Sequence, residues 1–340
     1  MRVLVANNKG GVGKTTLSVD VLPYFFTSPE KTDSTNFTVV ETDVENYVSQ
    51  RISLEEVGGK WEQANMLQKD FREMHKLEAL LENEGENIII DTGANITTKR
   101  TIALIMGSEL KNLIDLVVIP FTPDGAGEVN AVKTYKELRG KGYKNRIIFA
   151  LVGATRIGEE ELKLEFPNWF GIGWLSEGDI EEFLKGVERV ENLTKEDLLE
   201  EVEIADWWEK EVAPEDRNYL VVPKNLAIKV RWAVGTKPLF YYLWKAKELQ
   251  EEKKKSRKEV LELLKEANKP DLTKDEVKGL IQRFVDNESK YLATFPLVFY
   301  MSDTESFYKV IEAQRDVVFG KAQKVDWDEL RALWEDKLFT

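Results

Sequence analysis

The chain contains no cysteine and a single histidine among its 340 residues. Without cysteine it can have no disulfide, no thiol nucleophile and no cysteine-ligated zinc or iron–sulfur site. His75 lies in a charged stretch with no evident partners for a metal site or a catalytic triad, so we expect it to be at the surface or half-buried. The chemistry that remains is that of carboxylates, lysines and metal-bound phosphates.

Long apolar runs are also missing. No stretch reaches the roughly 18 apolar residues that a membrane-spanning helix needs, although 42% of the residues are hydrophobic, which is enough for a core. The chain begins with a short apolar segment rather than a signal peptide. These features predict a cytoplasmic protein.

The net charge of −13 is unevenly distributed. Residues 157–216 carry five basic against 20 acidic side chains, whereas residues 217–250 carry seven basic against one acidic. The acidic block hides a basic one, so the overall charge does not argue against nucleic-acid binding.

Continuous apolar segments alternate with amphipathic ones. This pattern predicts an α/β fold, a parallel sheet with helices on both faces, in which ligands bind at the carboxyl ends of the strands. We expect strands at 2–6, 36–41, 87–90, 116–119, 146–152 and 219–223, and helices at 14–26, 61–83, 98–113 and 127–139. Pro120 and Pro123 are expected to close the fourth strand.

Two regions fall outside this alternation. We expect one domain over residues 1–250, interrupted by an acidic helical insertion at about 157–216, and a C-terminal helical extension over 251–340. Helices are predicted at 177–190 and 195–210, with Trp207 and Trp208 anchoring the insertion. The segment 327–339 is amphipathic but acidic, which favours docking onto the protein itself over a membrane partner.

The segment Lys9–Thr16 follows the first strand and predicts a phosphate-binding loop. Its glycines let backbone N–H groups turn towards phosphate oxygens, and the helix that starts at Lys14 adds its positive end. Lys14 is placed to reach the outer phosphates and the Thr15 hydroxyl to hold Mg²⁺. The predicted nucleotide-binding residues here are Gly10, Gly11, Val12, Gly13, Lys14, Thr15 and Thr16. The first glycine of the pattern G-x-x-x-x-G-K-[ST] is replaced by Asn8, and Lys9 adds a second lysine.

This loop resembles the deviant Walker A motif of the ParA/MinD-type P-loop ATPases. The resemblance implies a P-loop NTPase fold, ATP and Mg²⁺ as cofactors, and slow hydrolysis stimulated by a partner protein. Lys9 corresponds to the family's signature lysine, which reaches the nucleotide site of the other subunit in a homodimer that forms on ATP binding.

Two acidic motifs continue the resemblance in order. Asp43 corresponds to the family aspartate that orients the attacking water, which makes Lys9, Lys14 and Asp43 the expected catalytic residues. Glu41 stands where the family has another aspartate. Asp91 ends the strand that matches Walker B, and with Thr15 it would hold the metal.

Base recognition is less well marked. The resemblance makes Pro223, Lys224 and Asn225 candidates for contacts with adenine. The asparagine that usually follows the strand at 147–152 is replaced by Gly153–Arg156, so the preference for ATP over GTP rests on the resemblance alone.

The resemblance leaves three functions open. A ParA-like DNA-segregation ATPase would bind DNA without sequence preference through the basic stretch 217–258, respond to a centromere-binding partner and associate with the nucleoid. A MinD-like switch would bind membranes instead. A cargo-positioning ATPase would use the acidic insertion or the extension as its partner surface.

Overall fold

The computed structural model describes residues 1–31, 35–43, 48, 51–66, 71–83, 85–93, 96–122, 125–154, 211–225, 228, 236–266, 273, 278–279, 282 and 301–335. The helices predicted at 177–190 and 195–210, the Trp207–Trp208 pair and nearly all of the acidic insertion lie outside these residues.

The described residues form a seven-stranded sheet in the order β3-β2-β4-β1-β5-β6-β7. Its strands are β1 (Arg2–Val5), β2 (Phe37–Glu41), β3 (Gly59–Gln63), β4 (Asn87–Asp91), β5 (Leu116–Phe121), β6 (Arg146–Ala154) and β7 (Tyr219–Pro223). Every pairing is parallel. The inner strands are buried along nearly their whole length, which explains their uninterrupted apolar sequences.

Helices cover both faces of this sheet. They are α1 (Lys14–Thr16), a π-helical turn (Leu17–Val21), α2 (Leu22–Phe26), α3 (Phe71–Glu82), α4 (Ile96–Met106), α5 (Gly125–Gly140), α6 (Leu239–Glu266), α7 (Met301–Ala313), α8 (Arg315–Val318) and α9 (Trp327–Glu335). Short 3-10 turns occur at Pro29–Lys31, Glu55–Val57, Glu109–Asn112 and Pro214–Asp216. Because parallel crossovers are right-handed, α1 and α2 lie on one face and α3 to α5 on the other. The predicted α/β fold is confirmed.

The helix predicted over 61–83 is wrong in its first part. Residues Gly59–Gln63 form the edge strand β3, which pairs with β2 along its full length, and α3 begins only at Phe71. The indole N–H of Trp61 donates to the carbonyl of Ile52 at 2.6 Å and fixes this strand. Side chains on an edge strand are partly solvated, so β3 lacks the apolar run that identified the inner strands.

Strand β5 also differs from its prediction, because it continues through Pro120 to Phe121. Proline cannot donate to a sheet ladder. Here β1 has already ended at Val5, so Pro120 faces no neighbouring strand on that side. Instead its carbonyl accepts a hydrogen bond from the side chain of Asn7 at 2.6 Å.

The described part of the C-terminal extension packs onto the core. The hydroxyl of Tyr308 donates to the backbone carbonyl of Asp20 at 3.0 Å, and its ring lies 4.5 Å from that of Tyr24. Leu330 on α9 is buried, in agreement with the expected docking of this helix onto the protein. Among the described helices, none is long and apolar enough to cross a bilayer.

Gln314, between α7 and α8, makes hydrogen bonds to the edge of β7 that faces away from β6. Its side-chain oxygen accepts the N–H of Val221 at 2.6 Å, and its side-chain nitrogen donates to the carbonyl of the same residue at 2.9 Å. The amide takes the place of a neighbouring strand, and it is fully buried.

Replacing Gln314 with leucine should therefore destabilise the protein by about 2–4 kcal/mol, because it leaves two buried backbone groups of Val221 unpaired. Urea denaturation followed by circular dichroism measures this difference. The matched control is Gln323→Leu at an exposed position, and equal stability of the two variants would contradict the role of Gln314.

Candidate nucleotide-binding site

The phosphate loop is built around the side chain of Lys14. Its ammonium group is buried and donates to the backbone carbonyls of Asn7 at 3.0 Å and of Lys9 at 2.8 Å. The side chain of Asn7 bonds to Pro120 on β5 and accepts the N–H of Lys9 at 2.8 Å. The loop therefore curls around the lysine and is tied to the centre of the sheet.

Gly13 is required at the point where the loop enters the helix. It has φ of +92°, and a Cβ atom there would come within 2.7 Å of a methyl group of Val152. The helix that begins at Lys14 has no side-chain cap at its N-terminus. Its first N–H groups and the positive end of its dipole are thus suited to an anion such as phosphate.

A cavity of about 300 Å³ opens in front of this helix end. It is lined by Gly10, Gly11, Gly13, Lys14, Thr15, Thr16, Glu41, Asp43, Val48, Asp91, Thr92 and Gly93. The carboxyl ends of β2 and β4 supply the wall opposite the phosphate loop. The structure thus brings together most of the predicted loop residues with both predicted carboxylates, Asp43 and Asp91.

Asp91 has the donor atoms that a hydrated divalent cation needs. Its side chain is buried, its Oδ1 atom has no hydrogen-bond partner, and its carboxylate is hydrogen-bonded to the side chain of Thr15. The described residues contain no cluster of three acidic, histidine or cysteine side chains that could hold a metal alone. A Mg²⁺ ion would therefore depend on Thr15, Asp91 and phosphate oxygens together, which is a fitting donor set.

Burial also shifts the ionisation of the two charges at the floor of the cavity. Burial raises the pKa of Asp91 to about 7 and lowers the pKa of Lys14 to about 8, and mutual attraction offsets only part of each shift. Both side chains are thus less readily charged in this cavity than in water. Such shifts are typical of sites that receive charged ligands.

Asp43 is buried at the end of β2 with 8% of its side chain exposed. Gly93 makes room for it, because a Cβ atom at position 93 would lie 2.5 Å from the Cβ of Asp43. Glu41 lies beside it on the same wall. Position 93 therefore needs glycine because any larger residue would collide with Asp43, a constraint that the sequence alone does not show.

Several predicted site residues do not line this cavity within the described part of the chain. Lys9 lies on the loop beside it, and the side chain of Val12 is buried in the core. Pro223 ends β7 and Lys224 and Asn225 follow it, three strands from β1 but at the same edge of the sheet. Their predicted contacts with adenine remain a prediction.

Sequence reasoning missed the residues that hold the loop from behind. The hydroxyl of Thr98 on α4 donates to the carbonyl of Asn7 at 3.3 Å, and the N–H of Asn8 donates to the hydroxyl of Thr134 on α5 at 3.4 Å. Both helices that hold Asn7 and Asn8 are therefore distant from the loop in sequence. The available signal was the pair of amides directly after an apolar strand.

His75, in contrast, is exposed on α3. Its Nδ1 atom lies 3.2 Å from a carboxylate oxygen of Glu78. The predicted surface position is confirmed.

Replacing Asp91 with asparagine should stabilise the ligand-free protein, and increasingly so as the pH rises. The folded-state pKa of Asp91 lies above its ordinary value, so the wild type loses stability as the pH rises from about 4 to about 7, where this carboxyl ionises in the unfolded chain but stays protonated in the folded one. We expect a gain of about 1–3 kcal/mol at pH 7.5 and a smaller one at pH 5. Urea denaturation in EDTA measures it, with exposed Asp328→Asn as control; a gain independent of pH would contradict this account.

Comparison with known proteins gives distant structural neighbours. No protein-family model and no curated protein sequence matches the chain. Among solved structures, the cell division protein MinD of Aquifex aeolicus is 14% identical, with a TM-score of 0.35 over 67% of this chain and 84% of its own. A Cyanothece McdA–ATP complex is 16% identical, with a TM-score of 0.37 over 67% and 85% of the two chains.

A putative plasmid partition protein of Borrelia burgdorferi bound to AMPPNP is 13% identical, with a TM-score of 0.33 over 62% of this chain and 98% of its own. These likenesses are partial, and the fold of this chain is established by its own strand order. The solved structures that resemble part of this chain are thus a cell division protein, an McdA–ATP complex and a putative plasmid partition protein.

Proposed function

We propose that the protein is a Mg²⁺-dependent ATPase that hydrolyses ATP to ADP and phosphate. The observation that carries this proposal is the cavity in which an uncapped helix end and a buried lysine face two buried carboxylates. Residues Gly10–Thr16 hold the phosphates, with Lys14 on the outer ones. Thr15 and Asp91 hold the metal, and Asp43 orients the attacking water.

Bound Mg²⁺ would neutralise charge that develops on the phosphates. The protein supplies the rest by position, since phosphoryl transfer depends chiefly on alignment and on fixed charges. Asp43 and Lys14 line the same cavity from opposite walls, so a water held by Asp43 would face the phosphate held by Lys14.

We propose further that ATP binding joins two copies of this chain into a homodimer, with Lys9 of each copy reaching the other copy's phosphates. Ile96 at the start of α4 is 56% exposed, and Val129 near the start of α5 is 39% exposed. These helices also hold Asn7 and Asn8 of the loop. Two exposed apolar side chains on the helices that hold the loop suit a surface that is covered when the dimer forms.

The two lysines should separate binding from dimerisation. Lys14→Ala should abolish binding of ATP, because the buried cation that faces the phosphates is lost. Lys9→Ala should bind ATP within about threefold of the wild type, a change below 1 kcal/mol, but stay monomeric. Fluorescent-nucleotide titration and light scattering with ATP and Mg²⁺ measure the two properties, with exposed His75→Ala as control. A dimeric Lys9→Ala variant would contradict the role of Lys9.

For the biological role we propose ParA-like DNA segregation, in which the dimer binds DNA non-specifically and a centromere-binding protein stimulates hydrolysis. Support comes from α6, on which Lys254, Lys255 and Lys258 are exposed. Lys254 pairs with Glu251 at 2.6 Å on the helix surface. Exposed ion pairs of this kind contribute little, so phosphates can replace them.

Changing Lys254, Lys255 and Lys258 together to glutamate should reduce DNA retention at least tenfold without altering ATP affinity, since each lost phosphate contact weakens binding independently of sequence. Filter binding with ATP and Mg²⁺ at low salt measures it. The matched control changes three exposed lysines elsewhere, Lys133, Lys141 and Lys144. No retention by the wild type would contradict the DNA-binding role.

That last result would favour a cargo-positioning ATPase without DNA binding, and one contact supports this second candidate. Asp216, at the end of the acidic insertion, is held by the guanidinium of Arg139 and by the hydroxyl of Tyr135 at 2.8 Å, both on α5. The neighbouring Thr134 contacts the phosphate loop at Asn8. A partner bound to the insertion would therefore act on a helix that touches the nucleotide site.

A further inference from the structure

Glu41 makes contacts that set it apart from the aspartate found at this position in the family that the loop resembles. It is the last residue of β2 and only 3% exposed. One carboxylate oxygen accepts the backbone N–H of Val48 at 2.8 Å, and the other accepts from the side chain of Gln63 at 3.4 Å. Glu41 and Val48 both line the cavity.

The hydrogen bond to Val48 is one of two attachments that flank Asp43 in the sequence. Before Asp43, the N–H and the hydroxyl of Thr42 both donate to the carbonyl of Asp91, at 3.1 and 3.2 Å. After it, the Glu41 side chain holds Val48. The described residues on either side of Asp43, Thr42 before it and Val48 after it, are thus both attached.

We propose that Glu41 is a positioning residue that holds Asp43 against the phosphates through the reach of its side chain rather than through its charge. An aspartate is shorter by one methylene, about 1.5 Å, so its oxygen would lie roughly 4 Å from the Val48 nitrogen, beyond hydrogen-bonding distance. Glutamine has the reach of glutamate and also offers an acceptor oxygen. The inference rests on the proposed ATPase function.

Two variants separate reach from charge. Glu41→Gln keeps the reach and loses the charge, whereas Glu41→Asp keeps the charge and loses the reach. We expect Glu41→Gln to retain kcat within threefold of the wild type and Glu41→Asp to lose kcat at least tenfold, with KM for ATP·Mg²⁺ unchanged within threefold in both. The matched control is Glu62→Asp on β3, a glutamate that pairs with Lys76 at 3.0 Å away from the cavity.

Hydrogen exchange provides a readout that does not depend on turnover. The amide of Val48 should be protected in the wild type and in Glu41→Gln, and exchange at least tenfold faster in Glu41→Asp. Should Glu41→Asp fail to fold, the wild type and Glu41→Gln still test the proposal through this amide and through kcat.

The opposite pattern, an active Glu41→Asp and an impaired Glu41→Gln, would show that the charge acts and would overturn the proposal. Loss of kcat in both variants, or in neither, would overturn it as well, as would rapid exchange of the Val48 amide in the wild type. A wild type without ATPase activity would refute the proposed function itself, while protection at Val48 still reports the contact.

Discussion

The burial of the Lys14 ammonium group is the constraint on which the candidate site depends. A buried cation must be matched by acceptors, and the carbonyls of Asn7 and Lys9 supply them by curling the loop around it. Asn7 must then be held in place in turn. Pro120 from β5 and Thr98 from α4 provide these bonds, so two further elements support the buried charge at the carboxyl edge of the sheet.

The same edge concentrates buried charge that a structure selected for stability alone would avoid. Asp91 keeps an oxygen without a partner, and burial shifts its pKa and that of Lys14 towards their neutral forms. The sheet offsets this cost through its continuous apolar strands, which are buried on both faces. A bound divalent cation would stabilise the charged form of Asp91, and bound phosphates would stabilise that of Lys14. This is the physical reason to assign both side chains to the proposed ATP site.

The inner strands could be predicted because each is an almost uninterrupted apolar run. The edge strand β3 could not, because Lys60, Trp61 and Glu62 have a polar pattern and adopt a strand only through pairing with β2 and the indole bond to Ile52. Pro120 is predicted from the sequence to end β5, but the strand continues through it. A strand accepts proline at this position only because β1 has already stopped, and where β1 stops is a property of strand register.

The site shows the same division. Lys14, Asp43 and Asp91 were predictable because each directly follows an apolar strand or lies within a recognisable loop, and parallel strands bring these ends together. The reach of Glu41 to Val48 and the space that Gly93 leaves for Asp43 depend on distances of a few ångströms between chain segments. Residue types alone do not encode such distances, so these contacts emerged only from the structure.

The helix that begins at the phosphate loop also organises the C-terminal extension. Pro23 lacks the N–H that a regular helix would use, and a π-helical turn at Leu17–Val21 precedes it. Within this turn lies Asp20, whose buried carboxylate accepts the N–H of Leu239 at the start of α6 at 2.8 Å, where the helix dipole favours a negative charge.

The backbone carbonyl of Asp20 accepts the Tyr308 hydroxyl, so α7 is held at the same point. The helical segment Lys14–Phe26 therefore carries Lys14 at its start and holds α6 and α7 through Asp20 in its middle. The basic surface of α6 is thereby tied to the nucleotide site through a buried charge. If α6 binds DNA as proposed, its position is set by the same helix that receives the phosphates, and the extension belongs to the mechanism of the ATPase.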